Sequence, residues 1–447
     1  MAKLSFWGAL ALAAALAVTT ARAQAPAPIA LSDIEHRVAL IAPRAVAWRR
    51  DIHAHPELGN RETRTAALVA AHLRRLGMEV RTNIAVTGVV GVLRGGRPGP
   101  VVALRSELDA LPVHEQTGLP FASTAQAQYN GETTYVAHAC GHDMHIAMLM
   151  GAAEVLAGMR AQLPGTIVFL FQPSEEGPPA SEEGGASRMM AEGALANPAP
   201  SAIFGLHVVP GLPGTIAYRP EGLMAAADEI HINLHGRQTH GAWPQRGIDI
   251  ISLSSAIVSE LNTVAARTVD VTQTPTVLSI TAINGGNRWN IIPQDLAMLG
   301  TLRTFDRAQR LTIQERIRDT VQNLARSYGA TAEVEFTGHG VVTYNDPALT
   351  AWALPSMTEA AGQGHVNPAV ARTMVSEDFS FYQERIPGLF VHLGASADGV
   401  DPAASAPNHS PLFNPNESIL PLGVKAHVLF AVRYLESGGL PARTAAH

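Results

Sequence analysis

One short segment of the chain concentrates side chains that could bind a metal ion. His138, Cys140, His142, Asp143 and His145 fall within eight consecutive positions. Cys140 and His142 are two residues apart, so in extended backbone both side chains face the same side. A thiolate and an imidazole placed in this way suit a divalent ion of borderline softness. This density favours a metal site over ordinary helix-start residues, with Asp143 capping backbone donors or orienting a ligand imidazole.

A pair of carboxylates follows a second apolar segment. The strand-like run Thr166–Phe171 leads through Gln172-Pro173-Ser174 into Glu175 and Glu176. Two adjacent carboxylates can divide the work of hydrolysis, because one can bind a cation while the other takes up a proton from water. Taken alone, the pair would fit a solvated acidic turn equally well.

Two isolated histidines complete the set of metal-binding residue types. His207 directly follows the apolar run Ile203–Leu206, and His409 lies in the proline-flanked loop Pro407–Pro411. A single histidine is more often structural. Combined with the first segment and one carboxylate, however, these two give five ligands, which could serve two metal ions that share a bridging ligand.

The elements that must position these residues alternate between helical and strand-like patterns. The predicted helices are Ser32–Ala54, Arg61–Leu76 and His142–Met159, and the predicted strands are Val89–Leu93, Val101–Leu104, Thr166–Phe171 and Ile203–Leu206. Strands separated by helices predict an α/β fold in which functional residues gather at strand ends.

The middle of the chain has a different pattern, which begins around Gly214–Met224. It predicts the order strand, helix, strand, strand, helix, strand between Glu229 and Phe336. This βαββαβ order is that of a ferredoxin-like unit. The α/β pattern then returns, with a strand at Leu389–Leu393 and a helix at Leu422–Leu435. We therefore predict a catalytic domain in two pieces, 24–218 and 338–447, with an inserted domain at 219–337.

Length and charge restrict the class of protein. The chain has 447 residues, which suggests more than one domain. Its net charge is −6 and it has no basic stripe, so we predict no nucleic-acid partner. Cys140 is the only cysteine, which excludes an intramolecular disulfide.

The N-terminus predicts export. Lys3 precedes the apolar run Leu4–Val18, and Ala21-Arg22-Ala23 fits a small-residue cleavage site. The apolar run is shorter than the ~20 residues that span a membrane, which argues against an uncleaved anchor. Residues 1–23 are thus a predicted signal peptide, and the mature protein is expected to be periplasmic or secreted without membrane association.

Three motifs together resemble one family of enzymes. They are His138-Ala139-Cys140-Gly141-His142-Asp143, Gln172-Pro173-Ser174-Glu175-Glu176-Gly177 and Asn408-His409-Ser410-Pro411. Because it contains these motifs in this order, the chain resembles the zinc-peptidase-like amidohydrolases that include hippurate hydrolase, N-acyl-amino-acid amidohydrolases and auxin-conjugate hydrolases. The likeness begins at His53-Ala54-His55-Pro56-Glu57-Leu58 and covers nearly all of the mature chain. It implies a general base, Glu175, and five metal ligands: Cys140, His142, Glu176, His207 and His409.

The same resemblance assigns roles to the inserted domain, which would be a lid and a homodimerisation domain. It implies that His240 is catalytic and that Asn290 and Arg303 contact the substrate. Around the metals, Asp109 and Asp143 would support ligands without binding an ion. The chain departs from the family at Glu107, where an aspartate is usual, and at Thr239, where a glycine is usual. Neither departure removes a predicted metal ligand.

These expectations define a reaction. We predict hydrolysis of the amide bond of N-acyl amino acids or related small amides, with two divalent ions per subunit. Zinc or manganese is expected, and cobalt and nickel stay open. Glu175 would move the proton, while His240 and the metals stabilise the oxyanion and Arg303 holds a substrate carboxylate.

Three alternatives accompany this prediction, of which a serine hydrolase is the most remote, because the sequence has no Gly-x-Ser-x-Gly turn. A carboxypeptidase or dipeptidase acting on short peptides would share the fold and metals. A non-catalytic binding protein would have no need for the spare carboxylate of Glu175. The His53-x-His55 pair resembles the first metal motif of barrel-type amidohydrolases. Since it ends a helix and runs into Pro56-Glu57, a structural role is expected.

Overall fold

The computed structural model of the protein describes residues 28–270 and 274–440, so the predicted signal peptide lies outside the described residues. Its helices are α1 Leu31–Ala54, α2 Thr63–Arg75, α3 His142–Gly158, α4 Gly185–Ala191, α5 Ile250–Arg267, α6 Arg307–Ser327, α7 Pro347–Ala361, α8 Phe379–Gln383 and α9 Leu420–Glu436. Its strands are β1 Glu79–Ile84, β2 Gly88–Arg94, β3 Arg97–Glu107, β4 Gln126–Tyr129, β5 Glu132–Tyr135, β6 Pro164–Gln172, β7 Ala202–Val209, β8 Ile216–Ala217, β9 Glu221–Met224, β10 Ala226–His235, β11 Thr239–His240, β12 Val277–Gly285, β13 Ile291–Ile292, β14 Asp295–Thr304, β15 Thr331–Gly340, β16 Thr343–Asn345, β17 Val366–Asn367 and β18 Gly388–Gly394.

The larger sheet confirms the predicted α/β class. Its strand order is β1-β2-β6-β3-β7-β18-β8-β17, and neighbouring strands are parallel from β6 through β18. The parallel strands are apolar on both faces, as expected of a sheet that is covered on both sides. Helices α1, α3, α7 and α9 contribute to the main hydrophobic core together with these strands. The carboxyl ends of β3, β6 and β7 consequently share one edge.

Helix α9 belongs to that core. The stretch Glu417–Glu436 is long and apolar enough to cross a membrane, but 72% of its most apolar window is buried inside the protein. The apolar composition of α9 is therefore explained by its burial in the core between the sheet and the neighbouring helices.

The predicted βαββαβ unit is present as a separate four-stranded sheet. The strand order is β12-β14-β10-β15, all antiparallel, and α5 and α6 pack on one face. Alternate residues of β10 are buried, among them Ile230 and Ile232, which is the pattern of a sheet with one covered face. We call this unit, from Ala226 to Gly340, the lid. The domain limits at 219 and 337 stay predictions.

The chain enters and leaves the lid at neighbouring points. Strand β9 precedes the lid and β16 follows it, and the two pair with each other, with Met224 opposite Thr343. The lid is therefore attached to the larger sheet through a single two-stranded ribbon.

Candidate active site

A sharp turn at the carboxyl edge of the larger sheet brings the first metal-binding motif into place. Gly141 has a φ of 98° and lies between Cys140 and the first residue of α3, His142. A Cβ at this position would lie 2.3 Å from Cγ2 of Val208, so the turn requires glycine. The chain can therefore pass close to β7, which carries His207.

The structure brings all five predicted metal ligands together. Sγ of Cys140 lies 3.3 Å from Nε2 of His207. Nε2 of His409 lies 3.0 Å from Oε1 of Glu176. Donor atoms of Cys140, His142 and His207 all fall within 4.8 Å of one another, as do those of Cys140, Glu176 and His409. The five side chains thus form two groups of three that share the thiol.

The histidine ring orientations leave nitrogen lone pairs available for a metal ion. Nδ1 of His142 donates to the carbonyl oxygen of Asp109 at 2.8 Å, and Nδ1 of His207 donates to the carbonyl oxygen of Val208 at 2.8 Å. In the neutral form of each ring, these bonds place the proton on Nδ1 and leave Nε2 unprotonated. Nε2 of His142 is buried and has no hydrogen-bond partner among the described residues.

Glu176 also presents an unused acceptor. Its Oε1 is buried and lies 3.0 Å from Nε2 of His409, but it accepts no hydrogen bond within the described part of the chain. An unpaired buried oxygen is costly unless a cation or donor reaches it. Together with sulfur and imidazole nitrogen, this oxygen gives a donor set that fits divalent metal ions.

The electrostatic surroundings favour a cation. Burial lowers the pKa of His142, but the hydrogen bond to Asp109 and the charges of Glu107 and Asp109 outweigh burial and raise the pKa to about 10. Burial and then the neighbouring carboxylates raise the pKa of the Cys140 thiol well above its ordinary value. Nearby carboxylates contribute to both shifts, and a divalent ion would neutralise their negative charge.

Glu175 lies beside the ligand groups, and donor atoms of Glu175, Glu176 and His142 fall within 4.8 Å of one another. Oε2 of Glu175 is 3.8 Å from Nε2 of His142, and a carboxylate oxygen also falls within 4.8 Å of acceptors on Glu377 and Asp378. Burial, followed by the charges of Glu377 and Glu176, raises its pKa well above the ordinary value. A raised pKa suits a carboxylate that takes up and releases a proton.

Asp109 contacts two of the predicted ligands. Its carbonyl oxygen accepts from His142, and its carboxylate Oδ2 accepts from the backbone N–H of Glu176 at 2.9 Å. A single residue therefore fixes the ring of one ligand and the backbone of another. These are contacts through which it could support the metal site.

The prediction for Asp143 is wrong. Its carboxylate neither caps α3 nor contacts a ligand imidazole. Instead Oδ2 accepts from Nε of Arg49 at 2.8 Å and contacts Nδ1 of His53 at 2.9 Å. The reason is the complete burial of Arg49, whose charge requires a buried carboxylate. The contact with Asp143 lets His53 tie α1 to α3, and His53 also contacts Glu115 at 3.1 Å. Both ring nitrogens of His53 are thus engaged outside the ligand groups.

A buried arginine organises the carboxylates behind Glu175. Arg105 pairs with Glu107, with Glu377 at 2.9 Å and with Asp378 at 2.7 Å. Glu107 also contacts Nδ1 of His145 at 2.8 Å. One carboxylate therefore spans Arg105 and His145.

Sequence reasoning missed Glu377 and Asp378. They precede α8 and are about 200 residues from Glu175 along the chain. The only local signal is an acidic pair directly before the aromatic run Phe379-Ser380-Phe381-Tyr382. Nothing in the local pattern indicates that the pair faces Arg105.

The lid residues are not brought to the ligand groups. His240 is exposed on β11, which pairs with β13, and the carbonyl oxygen of Asn290 accepts from the N–H of Gly241 at 2.9 Å. Arg303, on β14, donates to Oγ1 of Thr301 at 2.5 Å. Thr239 donates through its hydroxyl to the carbonyl oxygen of Trp243 at 3.1 Å. Within the described residues, His240 and Asn290 share one ribbon, whereas Arg303 lies on the lid sheet.

The sequence is similar to several characterised proteins. Residues 103–433 match the model of Peptidase family M20/M25/M40. The chain is 37% identical to thermostable carboxypeptidase 1 of Saccharolobus solfataricus, over 86% of this chain and 94% of that protein. It is 36% identical to N-acetylcysteine deacetylase of Bacillus subtilis, over 88% and 97%. It is also 36% identical to IAA-amino acid hydrolase ILR1-like 2 of Arabidopsis thaliana, over 88% and 87%.

Solved structures agree with this relationship. The chain superposes on the YXEP protein of Bacillus subtilis, described as a dinuclear metal-binding peptidase from the M20 family, with a TM-score of 0.72 and 34% identity over 89% of this chain and 99% of that one. An aminohydrolase structure from Staphylococcus aureus gives a TM-score of 0.81 at 29% identity, over 91% and 100%. The chain therefore belongs to Peptidase family M20/M25/M40 and is a metal-dependent hydrolase of amide bonds.

Proposed function

We propose that the protein hydrolyses the amide bond of N-acyl amino acids or related small amides. The observation that carries this proposal is the position of Glu175, a carboxylate beside both ligand groups that belongs to neither of the thiol-sharing triads. Two similar proteins, a deacetylase of N-acetylcysteine and a hydrolase of IAA-amino acids, support the substrate class. A carboxypeptidase acting on short peptides is the second candidate, favoured by the similarity to thermostable carboxypeptidase 1.

We assign the two groups of three ligands to two divalent ions. Cys140, His142 and His207 would hold one ion, and Cys140, Glu176 and His409 the other, with the thiolate shared. Zinc or manganese fits this mixed donor set, and cobalt and nickel fit it as well. When bound, such ions polarise the amide carbonyl and lower the pKa of a coordinated water.

Glu175 is proposed to move the proton. Its carboxylate accepts a proton from the attacking water and then donates it to the departing nitrogen as the C–N bond breaks. Glu377 and Asp378 border its far side and are held by Arg105. Arg105 thus fixes the two carboxylates that neighbour the base.

The lid is proposed to complete the site in a homodimer. His240 is exposed on the lid, and the described contacts do not join it to the ligand groups of its own chain. Two-fold symmetry would let each lid offer His240 to the partner's site, where its imidazole stabilises the oxyanion. Asn290 and Arg303 are proposed to contact the substrate, with Arg303 holding a carboxylate.

Export to the periplasm or the extracellular space is a further part of the proposal. It rests on the pattern of residues 1–23, with Lys3 before the apolar run Leu4–Val18. Comparing the N-terminal residue of the protein recovered from the native host with Gln24 would test it.

The substrate class is tested by comparing kcat/KM for two kinds of substrate. Metal-loaded enzyme is offered N-acetyl and N-benzoyl amino acids, and dipeptides with the same C-terminal residue. We expect a higher kcat/KM for the N-acyl amino acids. A consistent preference for dipeptides would support the carboxypeptidase instead.

A further inference from the structure

The turn that carries Glu175 and Glu176 has an unfavourable backbone conformation. Ser174, directly before the two carboxylates, has a φ of 59°, in the left-handed region that non-glycine residues rarely adopt. It is 2% exposed, and its hydroxyl has no hydrogen-bond partner among the described residues. Such a conformation persists only where the surrounding structure enforces it. The position of Glu175 therefore depends on whatever holds Ser174.

Two close glycines restrict this turn on its sides. A Cβ at Gly59 would lie 2.6 Å from Oγ of Ser174, and a Cβ at Gly184 would lie 2.8 Å from the same atom. The chain therefore packs against Ser174 with backbone alone. These contacts limit the space around the turn, but they give its backbone N–H no acceptor.

That acceptor is the side chain of Glu62. Glu62 is the residue before α2, is 0% exposed, and accepts the N–H of Ser174 on Oε1 at 2.8 Å. Its Oε2 accepts the hydroxyl of Thr87 at 2.5 Å. Both carboxylate oxygens are thus used, one on the turn and one on the connection between β1 and β2. The contact joins residues 112 positions apart.

We propose that Glu62 is a positioning residue for the general base: its carboxylate holds Ser174 in the left-handed conformation and so directs Glu175 toward His142. The proposal rests on the assignment of Glu175 as the base. Glu176 is less dependent on this contact, because Asp109 accepts its backbone N–H at 2.9 Å. Loss of the Glu62 contact is therefore expected to displace the base while the metal ligand stays in place.

Two substitutions separate the reach of the side chain from the presence of a carboxyl group. Glu62→Gln removes the carboxyl group but keeps an oxygen that reaches the N–H of Ser174, and its amide can donate to Thr87. Glu62→Asp keeps the carboxyl group but shortens the side chain by about 1.5 Å, one C–C bond, which breaks the contact with Ser174. If position is what matters, the glutamine variant retains kcat and the aspartate variant does not.

The measurements are kcat, KM, metal content by elemental analysis and thermal midpoint. We expect Glu62→Asp to lose about 10²-fold in kcat, the cost of a misplacement on the order of 1 Å, with KM and metal content unchanged. Asp249→Asn is the matched control, because its carboxylate accepts the N–H groups of Ile251 and Ser252 at the start of α5, in the lid and on a different element from the turn. This control is expected to keep wild-type kcat.

Equal losses in Glu62→Gln and Glu62→Asp, or wild-type kcat in both, would overturn the proposal. If Glu62→Asp does not fold, Thr87→Val releases the other oxygen and should lower kcat at constant KM; an unchanged kcat would count against it. Glu175→Gln separates this test from the proposed function. If that variant stays active, the base assignment fails; if it is inactive while Glu62→Asp is fully active, only the role of Glu62 fails.

Discussion

The carboxyl edge of the larger sheet and the ribbon of the lid hold their functional side chains in different ways. At the sheet edge, His142 and His207 are buried and each ring is fixed by a carbonyl oxygen of the same chain. On the lid, His240 is exposed, and its ring accepts only the N–H of Ala242 at 3.0 Å among the described contacts. The difference teaches that one chain by itself brings the predicted metal ligands together, whereas the role proposed for His240 requires a further approach.

The largest expected effect concerns the thiol shared by both ligand groups. Cys140→Ala removes a donor from each group, so we expect loss of bound metal and of detectable activity. Chelation of the wild-type protein should give the same loss, and added Zn²⁺ or Mn²⁺ should restore the chelated protein but not the variant. Elemental analysis and an activity assay measure both results. Full metal content in Cys140→Ala would contradict the shared-thiol assignment.

A second experiment divides the roles within the preorganised edge. Glu175→Gln should keep its metal and lose about 10²–10⁴-fold in kcat, the range for removal of a general base. Glu176→Gln should instead lower metal affinity, because its Oε1 is the unpaired acceptor beside His409. Titration with metal followed by kinetics distinguishes the two variants. Identical losses of metal and activity in both would show that the carboxylates do not divide the work.

A third experiment tests whether the lid acts between subunits. His240→Ala and Glu175→Gln should each be nearly inactive. After unfolding and refolding as an equal mixture, half of the dimers are mixed, and each mixed dimer contains one site with both residues intact. Activity should recover to roughly a quarter of wild type on random two-fold pairing. Inactive mixed dimers would mean that His240 does not act across the subunit interface.

The smallest expected effect concerns stability at the sheet edge. Burial lowers the pKa of His53, but the charge of Asp143 and hydrogen bonds to Asp143 and Glu115 outweigh it and raise the pKa to about 9. Because the folded-state pKa exceeds the ordinary value of 6.5, the contribution is complete below pH 6.5 and is lost as pH rises through about 9. His53→Gln should therefore lower the free energy of unfolding by about 1–3 kcal/mol near neutral pH.

Urea unfolding at several pH values measures this difference. It should shrink above pH 9, where wild-type His53 has lost its charge. His55→Gln is the control, since His55 is exposed beside the end of the same helix. A difference that stays constant from pH 6.5 to beyond 9 would show that the charge of His53 does not contribute.

Local pattern and chemical type predicted most of the architecture. The alternation in β10 and the helical pattern of α5 and α6 identified the βαββαβ unit, because each element buries one face. The helix α7 was not predicted; it contains Pro355, a residue that is typical of a helix break. The hairpin of β4 and β5 was also missed, although Asn130-Gly131 at its turn, both with positive φ, is a strong hairpin signal.

Some features of the site could be predicted from a local motif, whereas others depend on contacts between distant segments. The motif around Cys140 indicated ligand types because it places several metal-binding side chains within a few residues. The partners of Asp143 and Arg105 could not be deduced, because Arg49 and Asp378 come from distant segments that meet only in the folded chain. A buried charge is costly unless it is paired, so its partner can come from any segment that the fold brings near it. Only the structure shows which segment that is.

The paired strands β9 and β16 have a consequence for engineering. Since Met224 lies opposite Thr343, the two ends of the lid are neighbours in space. A short peptide could bridge them, so the lid could be excised or exchanged for that of a relative without cutting the larger sheet. Such a graft would exchange residues 226–340 as one unit. Substrate assays on the resulting chimera would show which preferences depend on the lid.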